Sequence, residues 1–402
     1  MTREWIKRLS EGGGYSTFPS WLERLNPLTW LRRAWHSFAK LWDQEDFSHE
    51  VLRAFQGCLS CKACQGQCPI KVDVPDFKAK FLALYYQRYL RPPGDLLARE
   101  VESTAQSQYE WSEVFNYLVG HPLVRLLLEK IFGLVDPPCF SQVDLQAGLA
   151  ERHALLGWND HFSPLDPAKD VLLVQDAFTS FYETELVLRL HDFFSEIGIK
   201  MHVLPFSENG KAKHVKGFLP EFKSTAEKTS QKLEQIGKYG IPMIGLDPAV
   251  ALTYRDEYPK ILGRDLNFQV LLIEEYLAQI LPQLELPQLS ASRLIKLFAH
   301  CTEKTSLPAA EGMWVAIFKS FGLELQVEPV GCCGMGGLYG HEAKHRQSSF
   351  QIFDLHWRDR LLQAEQEGAW VLATGYSCRS QVKRFEGYKP LHPLELILDL
   401  IQ

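Results

Sequence analysis

Four cysteines within eleven residues constrain this chain more than any other feature: Cys58-Leu-Ser-Cys61-Lys-Ala-Cys64-Gln-Gly-Gln-Cys68-Pro69. The spacing C-x2-C-x2-C-x3-C-P is the run with which bacterial ferredoxins hold a cubane. Cysteines two residues apart wrap a cubane corner by corner, with peptide N–H groups turned toward the sulfides. Pro69 ends the loop and seeds the helix after it. Thiolates are soft ligands, which iron–sulfur clusters select. The run is therefore assigned to a [4Fe–4S] cluster with Cys58, Cys61, Cys64 and Cys68 as ligands; a structural zinc site is the alternative. In two-cluster ferredoxins the fourth cysteine serves the other cluster, which leaves open a free Cys68 with Cys139 in its place. Cys139, in DPPCFS, belongs to no motif and reads as a small buried hydrophobe.

A second set lies in the last third: His300-Cys301, then Gly331-Cys332-Cys333-Gly334-Met335-Gly336-Gly337, then Gly375-Tyr376-Ser377-Cys378-Arg379. Each follows an apolar run of strand length (LIKLFAH, LELQVEPV, AWVLAT), and ends of parallel strands converge where α/β proteins place their sites. Cys301, Cys332, Cys333 and Cys378 are thus expected at one sheet edge as a second cluster site. A thiol or metal site of another kind and a cluster-free remnant are the alternatives. The glycines let the backbone approach a bulky cofactor. His300 is a ligand or an outer donor in one reading and a hydrogen-bonded structural histidine in the other. Nine cysteines, an odd count, and no apolar leader in MTREWIKRLSEGGG argue against a disulfide framework and for a reducing, cytoplasmic setting.

Three regions are expected. Residues 1–50 form a Trp-rich segment, with seven Lys/Arg against three Asp/Glu as far as Trp42. Trp35, Phe38 and Trp42 share one helical face, with Arg32, Arg33 and Lys40 off it. Residues 51–165 read as a helical ferredoxin-like domain: DFKAKFLALYYQRYL is stopped by Pro92-Pro93, and HPLVRLLLEKIFG runs from Pro122 to Gly133. Residues 166–402 alternate strands and helices in two rounds, so the fold class is α/β with a mostly parallel sheet and an N-terminal helical part. The predicted strands are VLLVQD, IKMHVLPF, IPMIGLD, RLIKLFAHC, LELQVEPVG and AWVLATG; NFQVLLIEEYLAQIL reads as a helix, as does the stretch from His341 to Glu367. The motif GxGxxG is absent, so nothing supports dinucleotide binding. A net charge of -6 excludes a nucleic-acid binder driven by bulk positive charge, and no apolar run has the length of a bilayer span.

The ferredoxin run followed by a Cys…CCG…Cys region resembles the iron–sulfur subunits of glycolate oxidase, anaerobic glycerol-3-phosphate dehydrogenase and heterodisulfide reductase. A finer match comes from NPLTW (26–30), CKACQGQCPIKVDVP (61–75), RYLRP (88–92), PFSENGKAKHVKGF (205–218), YRDEY (254–258), GCCGMGGLYGHE (331–342) and TGYSCRSQVKR (374–384). These look like the C-terminal iron–sulfur region of the bacterial FAD-linked D-2-hydroxyglutarate dehydrogenase family, also described as D-lactate dehydrogenase-like oxidases. The resemblance runs from about residue 20 to the end. The family's polypeptide carries an N-terminal FAD domain, for which this chain has no region long enough. Relatives with two CCG repeats have cysteines in each half; here PFSENGKAKHVKGF stands where the first set belongs.

The resemblance implies an electron-transfer module that passes electrons from a FAD-binding hydroxyacid dehydrogenase, with D-2-hydroxyglutarate first and D-lactate or glycolate next as substrate, to a quinone or carrier protein. FAD is expected in the partner, and no activity is expected from this chain alone. A disulfide reductase-like catalytic subunit and a structural metal protein are the competing classes. Lys211, Lys213, His214 and Lys216 face an anion or the flavin partner in one reading and form a solvated turn in the other. Trp30, Trp35, Phe38 and Trp42, ringed by Arg24, Arg32, Arg33 and Lys40, are expected to contact the flavin domain; packing on this chain's own helices and lying at the inner face of a membrane are the alternatives.

Overall fold

The computed structural model describes residues 17–18, 27–39 and 47–402. Trp42, Arg24 and Lys40 lie outside the described residues.

Helices fill the chain up to Glu151, and strands begin at Asp170. The helix Val74–Arg88 starts where expected, because Asp73 accepts the Asp76 N–H and Pro75 sits in the first turn. Its inner side, with Phe81, Tyr85 and Tyr89, packs on Phe55. The helix Pro27–Ala39 lies along it: the Arg33 guanidinium donates to the Gln87 carbonyl at 3.1 Å, and Leu90 N–H donates to Ser37 Oγ at 2.8 Å. Trp30 and Trp35 face solvent.

Among the described residues, seven short strands make two all-parallel sheets. β1 (Asp170–Leu173), β2 (Lys200–Val203), β3 (Met243–Gly245) and β4 (Val270–Leu272) stand in the order β2-β1-β3-β4. β5 (Ile295–Phe298), β6 (Gln326–Val327) and β7 (Trp370–Ala373) stand in the order β6-β5-β7. Strands covered on both faces read as continuous apolar runs, as β1 does. Val171 and Leu173 of one sheet and Ile295, Leu297 and Leu372 of the other share a single core with helices Thr184–Glu196 and Pro393–Ile401. Leu172 and Met243 turn to a second core behind the first sheet, and Phe298 and Ala373 to a third behind the other.

Two elements differ from the sequence expectation. NFQVLLIEEYLAQIL is not all helix: its VLL pairs with β3 as β4, and the helix begins only at Ile273. The stretch from His341 to Glu367 starts as two 3-10 turns, becomes α-helical at Arg346, and carries a π-helical turn at Asp354–Arg358.

Candidate functional site

The first cysteine loop is wound tightly. Ser60, Lys62 and Lys71 all take left-handed backbone angles, with φ of 57°, 60° and 50°. Side chains with a Cβ seldom adopt these angles, and such residues concentrate at functional loops held by their surroundings. Here the holders are identifiable. The Lys62 ammonium, 6% exposed, pairs with Asp256 and with Glu257 Oε1 at 2.8 Å. Asp256 also pairs with Lys260 at 2.7 Å, which reaches back to Asp73 at 2.5 Å. Thr305 Oγ1 donates to the Cys61 carbonyl at 3.1 Å, and Lys78 Nζ to the Cys58 carbonyl at 2.8 Å.

All nine thiols are free, and the four of the first loop are half-buried. Burial raises the Cys61 pKa, and the neighbouring thiols Cys301, Cys58 and Cys64 add to the rise. Cys68 goes the other way: backbone N–H groups of Val72, Ile70 and Lys71 reach its sulfur and stabilise the thiolate. Cys139 is exposed rather than the buried hydrophobe expected of it.

The second set meets behind the second sheet. Cys301 opens the helix Cys301–Ser306 after β5, Cys332 and Cys333 lie in the loop after β6, and Cys378 is in the first turn of the helix Tyr376–Glu386 after β7. Cys301, Cys332, Cys333 and Cys378 are close enough, in that order, to shift one another's titration. All four thiols titrate above the ordinary cysteine range. The contact with Cys332, then burial, raises Cys301. In Cys332, Cys333 and Cys378 one hydrogen-bonded thiol lowers the value, and the other thiols together with burial outweigh it. Four clustered sulfurs, two of them buried and two half-buried, become thiolates together only around a cation. Among the described residues, no three His, Cys, Asp or Glu side chains are already disposed around a single metal ion.

Glycines shape this loop. A Cβ on Gly334, at φ +84°, would lie 2.3 Å from the Ser349 carbonyl oxygen, and its N–H donates to Cys332 Sγ at 3.4 Å. Ser349 Oγ donates to the Gly334 carbonyl at 2.8 Å, and Gln381 Nε2 donates to the Cys333 carbonyl at 3.0 Å. A Cβ on Gly336 would meet Leu59 at 3.0 Å, so the CCG loop lies directly against the first cysteine loop. The two thiol sets are therefore neighbours, with Cys61 facing Cys301.

His300 is buried. Its backbone N–H donates to Thr374 Oγ1 at 3.0 Å and to Glu303 at 3.3 Å, and its Nε2 lies 3.2 Å from Ser377 Oγ. Nδ1 is without a hydrogen-bond partner. At the strand ends of the first half stand carboxylates instead of thiols. Asp247 accepts the Tyr376 N–H at 3.0 Å and so caps the helix that carries Cys378. Burial and the charge of Asp247 push the Asp176 pKa up to about 7.

The segment 205–218 is neither a solvated turn nor an open anion site. Lys211 pairs with Glu257, Lys213 with Glu208, and Lys216 with Asp95 at 2.7 Å and Glu342 at 2.6 Å. His214 is buried, and its pKa is pushed down to about 4 by burial. Asp256, Glu257, Lys78 and Glu303 were missed as site residues. YRDEY showed only charge, and nothing local reveals a partner 194 residues away.

One measurement follows from the thiol chemistry. The thiolate is the reactive form, so a lowered pKa speeds alkylation at neutral pH and a raised one slows it. In reduced, iron-free protein, iodoacetamide should label Cys68 and the exposed Cys139 first and Cys301, Cys332, Cys333 and Cys378 last, as read by timed mass spectrometry. Uniform labelling would contradict the packing of the second set.

No family model matches the chain. It is similar to the D-2-hydroxyglutarate dehydrogenases of Pantoea ananatis (44% identical over 417 residues), Escherichia coli (42% over 415) and Pseudomonas putida (40% over 409). Each match covers 100% of this chain and 40% of the relative, so the chain spans well under half the length of the curated relatives it matches. No helix among the described residues is long and apolar enough to cross a membrane.

Proposed function

The chain belongs to the D-2-hydroxyglutarate dehydrogenase family, corresponding to 40% of the length of those relatives, and from that premise we propose that it is the iron–sulfur electron-transfer part of a FAD-dependent D-2-hydroxyacid dehydrogenase. D-2-hydroxyglutarate is the first candidate substrate, because the relatives carry its name. The observation that carries the proposal is the meeting of two all-thiol loops, with Gly336 packed against Leu59 and Thr305 hydrogen-bonded to the Cys61 carbonyl. Cys58, Cys61, Cys64 and Cys68 would hold a [4Fe–4S] cluster, and Cys301, Cys332, Cys333 and Cys378 a second one. The donors are soft, and N–H groups point at the sulfurs of Cys68 and Cys332. When bound, an iron–sulfur cluster takes one electron at a time, so a two-electron flavin oxidation can be passed on in single steps.

The chain's own residues supply position and electrostatics. Lys62, Thr305 and Lys78 fix the first loop by its side chains and carbonyls. Ser349 and Gln381 fix the CCG loop, and Asp247 fixes the helix of Cys378. N–H donors aimed at sulfur stabilise the more negative state.

Anaerobically purified chain is expected to be brown and to contain about eight irons with matching sulfide. About four irons would reject the second cluster, and zinc without sulfide would reject the proposal.

A further inference from the structure

The helices Ser112–Gly120 and Pro122–Leu127, the latter continued by the π-helical turn Leu128–Phe132, turn their apolar stripes to solvent. Trp111 and Tyr117 are 70% and 73% exposed, and Leu123, Leu127 and Ile131 are 64%, 53% and 56%. Positions 123, 127 and 131 repeat every four residues and share one helix face. Only Val119 of these helices is buried. The helices are firmly seated nonetheless. Asn116 exchanges two hydrogen bonds with the Phe140 backbone, at 2.9 and 2.8 Å. Gly94 is in close contact with the Phe132 carbonyl, where a Cβ would come within 2.2 Å. A rigid, outward apolar face of this kind marks an interaction site, and Trp and Tyr are the side chains that anchor such sites.

Two observations say what covers it. The first is length: the relatives carry more than half of their polypeptide beyond what this chain matches, and that part has to pack against something. The second is position. Gly133 turns the chain, Ala343 N–H donates to the Gly133 carbonyl at 2.8 Å, Val135 N–H donates to the His341 carbonyl at 2.8 Å, and Leu134 bridges to Glu342. Glu342, Lys344 and His345 line a cavity of about 40 Å³ together with Cys58. The end of the apolar face is therefore tied by backbone hydrogen bonds to the segment that lines the rim of the first cysteine loop. Glu113, Arg125, Glu129 and Lys130 balance in charge, whereas a helix that seeks an anionic lipid surface is basic.

We propose that the face bearing Trp111, Tyr117, Leu123, Leu127 and Ile131 is the docking surface for the part of the D-2-hydroxyglutarate dehydrogenase polypeptide that lies outside the 40% matched here. It brings that part's redox group up to the Cys58 edge, and in this it rests on the function proposed above. The test uses the full chain in its own cells with Tyr117→p-benzoylphenylalanine or Leu127→p-benzoylphenylalanine, irradiation, and mass spectrometry of the adducts. Tyr239→p-benzoylphenylalanine, at an exposed position elsewhere, is the control. The expected product is an adduct with a protein that matches the rest of the relatives' sequence, lost when Trp111→Ser and Leu123→Ser are added. Adducts with a second copy of the chain, adducts with lipid, or labelling no stronger than at position 239 would each overturn the proposal. Iron per chain, read on the same samples, separates the two ideas. Iron present without the adduct rejects the docking surface alone; the adduct without iron rejects the electron-transfer reading and leaves the surface standing.

Discussion

Cys61→Ser is expected to remove about four irons per chain and to abolish the EPR signal of the first cluster. Cys61 is the thiol of the run with the other sulfurs around it, and its carbonyl is fixed by Thr305 from the other half of the molecule. Serine keeps the backbone and the size but offers a hard, poorly ionised oxygen where a soft thiolate is needed. The α/β body should stay folded. Its three cores draw on the sheets and their covering helices and include no residue of the loop. Circular dichroism and the thermal transition should therefore stay close to the parent's while the iron falls. An unchanged iron content would falsify the assignment of the run.

Arg379→Met is expected to cost about 3–5 kcal/mol, the range for removing one partner of a buried ion pair. The guanidinium is 1% exposed and pairs with Glu183, 2% exposed, and it also donates to the carbonyls of Ala373 at 3.0 Å and Thr374 at 2.8 Å. The substitution leaves Glu183 charged in the interior, with only the Lys389 ammonium at 2.7 Å to answer it. It also frees two carbonyls at the end of β7, four and five residues before Cys378. Adding Glu183→Gln should recover much of the loss, since it removes the orphaned charge. Lys223→Gln, in an exposed pair with Glu227 at 3.9 Å, should change little by comparison. Urea titrations of the four proteins decide this; equal midpoints for Arg379→Met and Lys223→Gln would refute the argument.

Sequence pattern carried the strands that end in chemistry. LIKLFAH, apolar but for the paired Lys296, and AWVLAT are strand-length runs followed by a helix, and the connections of parallel sheets bring such ends together. It failed where one pattern hid another. VLL inside NFQVLLIEEYLAQIL is both a strand and the start of an amphipathic stripe, and only the pairing with Met243–Gly245 decides it. LELQVEPV yields just two strand residues, Gln326 and Val327, because Pro329 follows and has no N–H to give to a neighbour. Charge was the least legible signal. Lys62, Lys211 and Lys216 look like solvated lysines in any local window. Lys62 and Lys216 are instead buried, and Lys211 half-buried, against carboxylates far along the chain, and burial is tolerable only because those pairs close. The exposed apolar face at 111–131 escaped for the opposite reason: a helical apolar stripe predicts burial and does not say against what.

The Lys62 clamp also sets an order of events during synthesis. A ribosome releases the chain from its N-terminus, so the cysteine run emerges long before Asp256, 194 residues downstream. Until then Lys62 has no carboxylate partner, and its left-handed turn is without that anchor. The shape of the loop is thereby deferred: it is completed only after Asp256 and Glu257 are in place. A nascent or truncated chain ending before that point would carry its four clustered thiols in a loop without the Lys62 clamp.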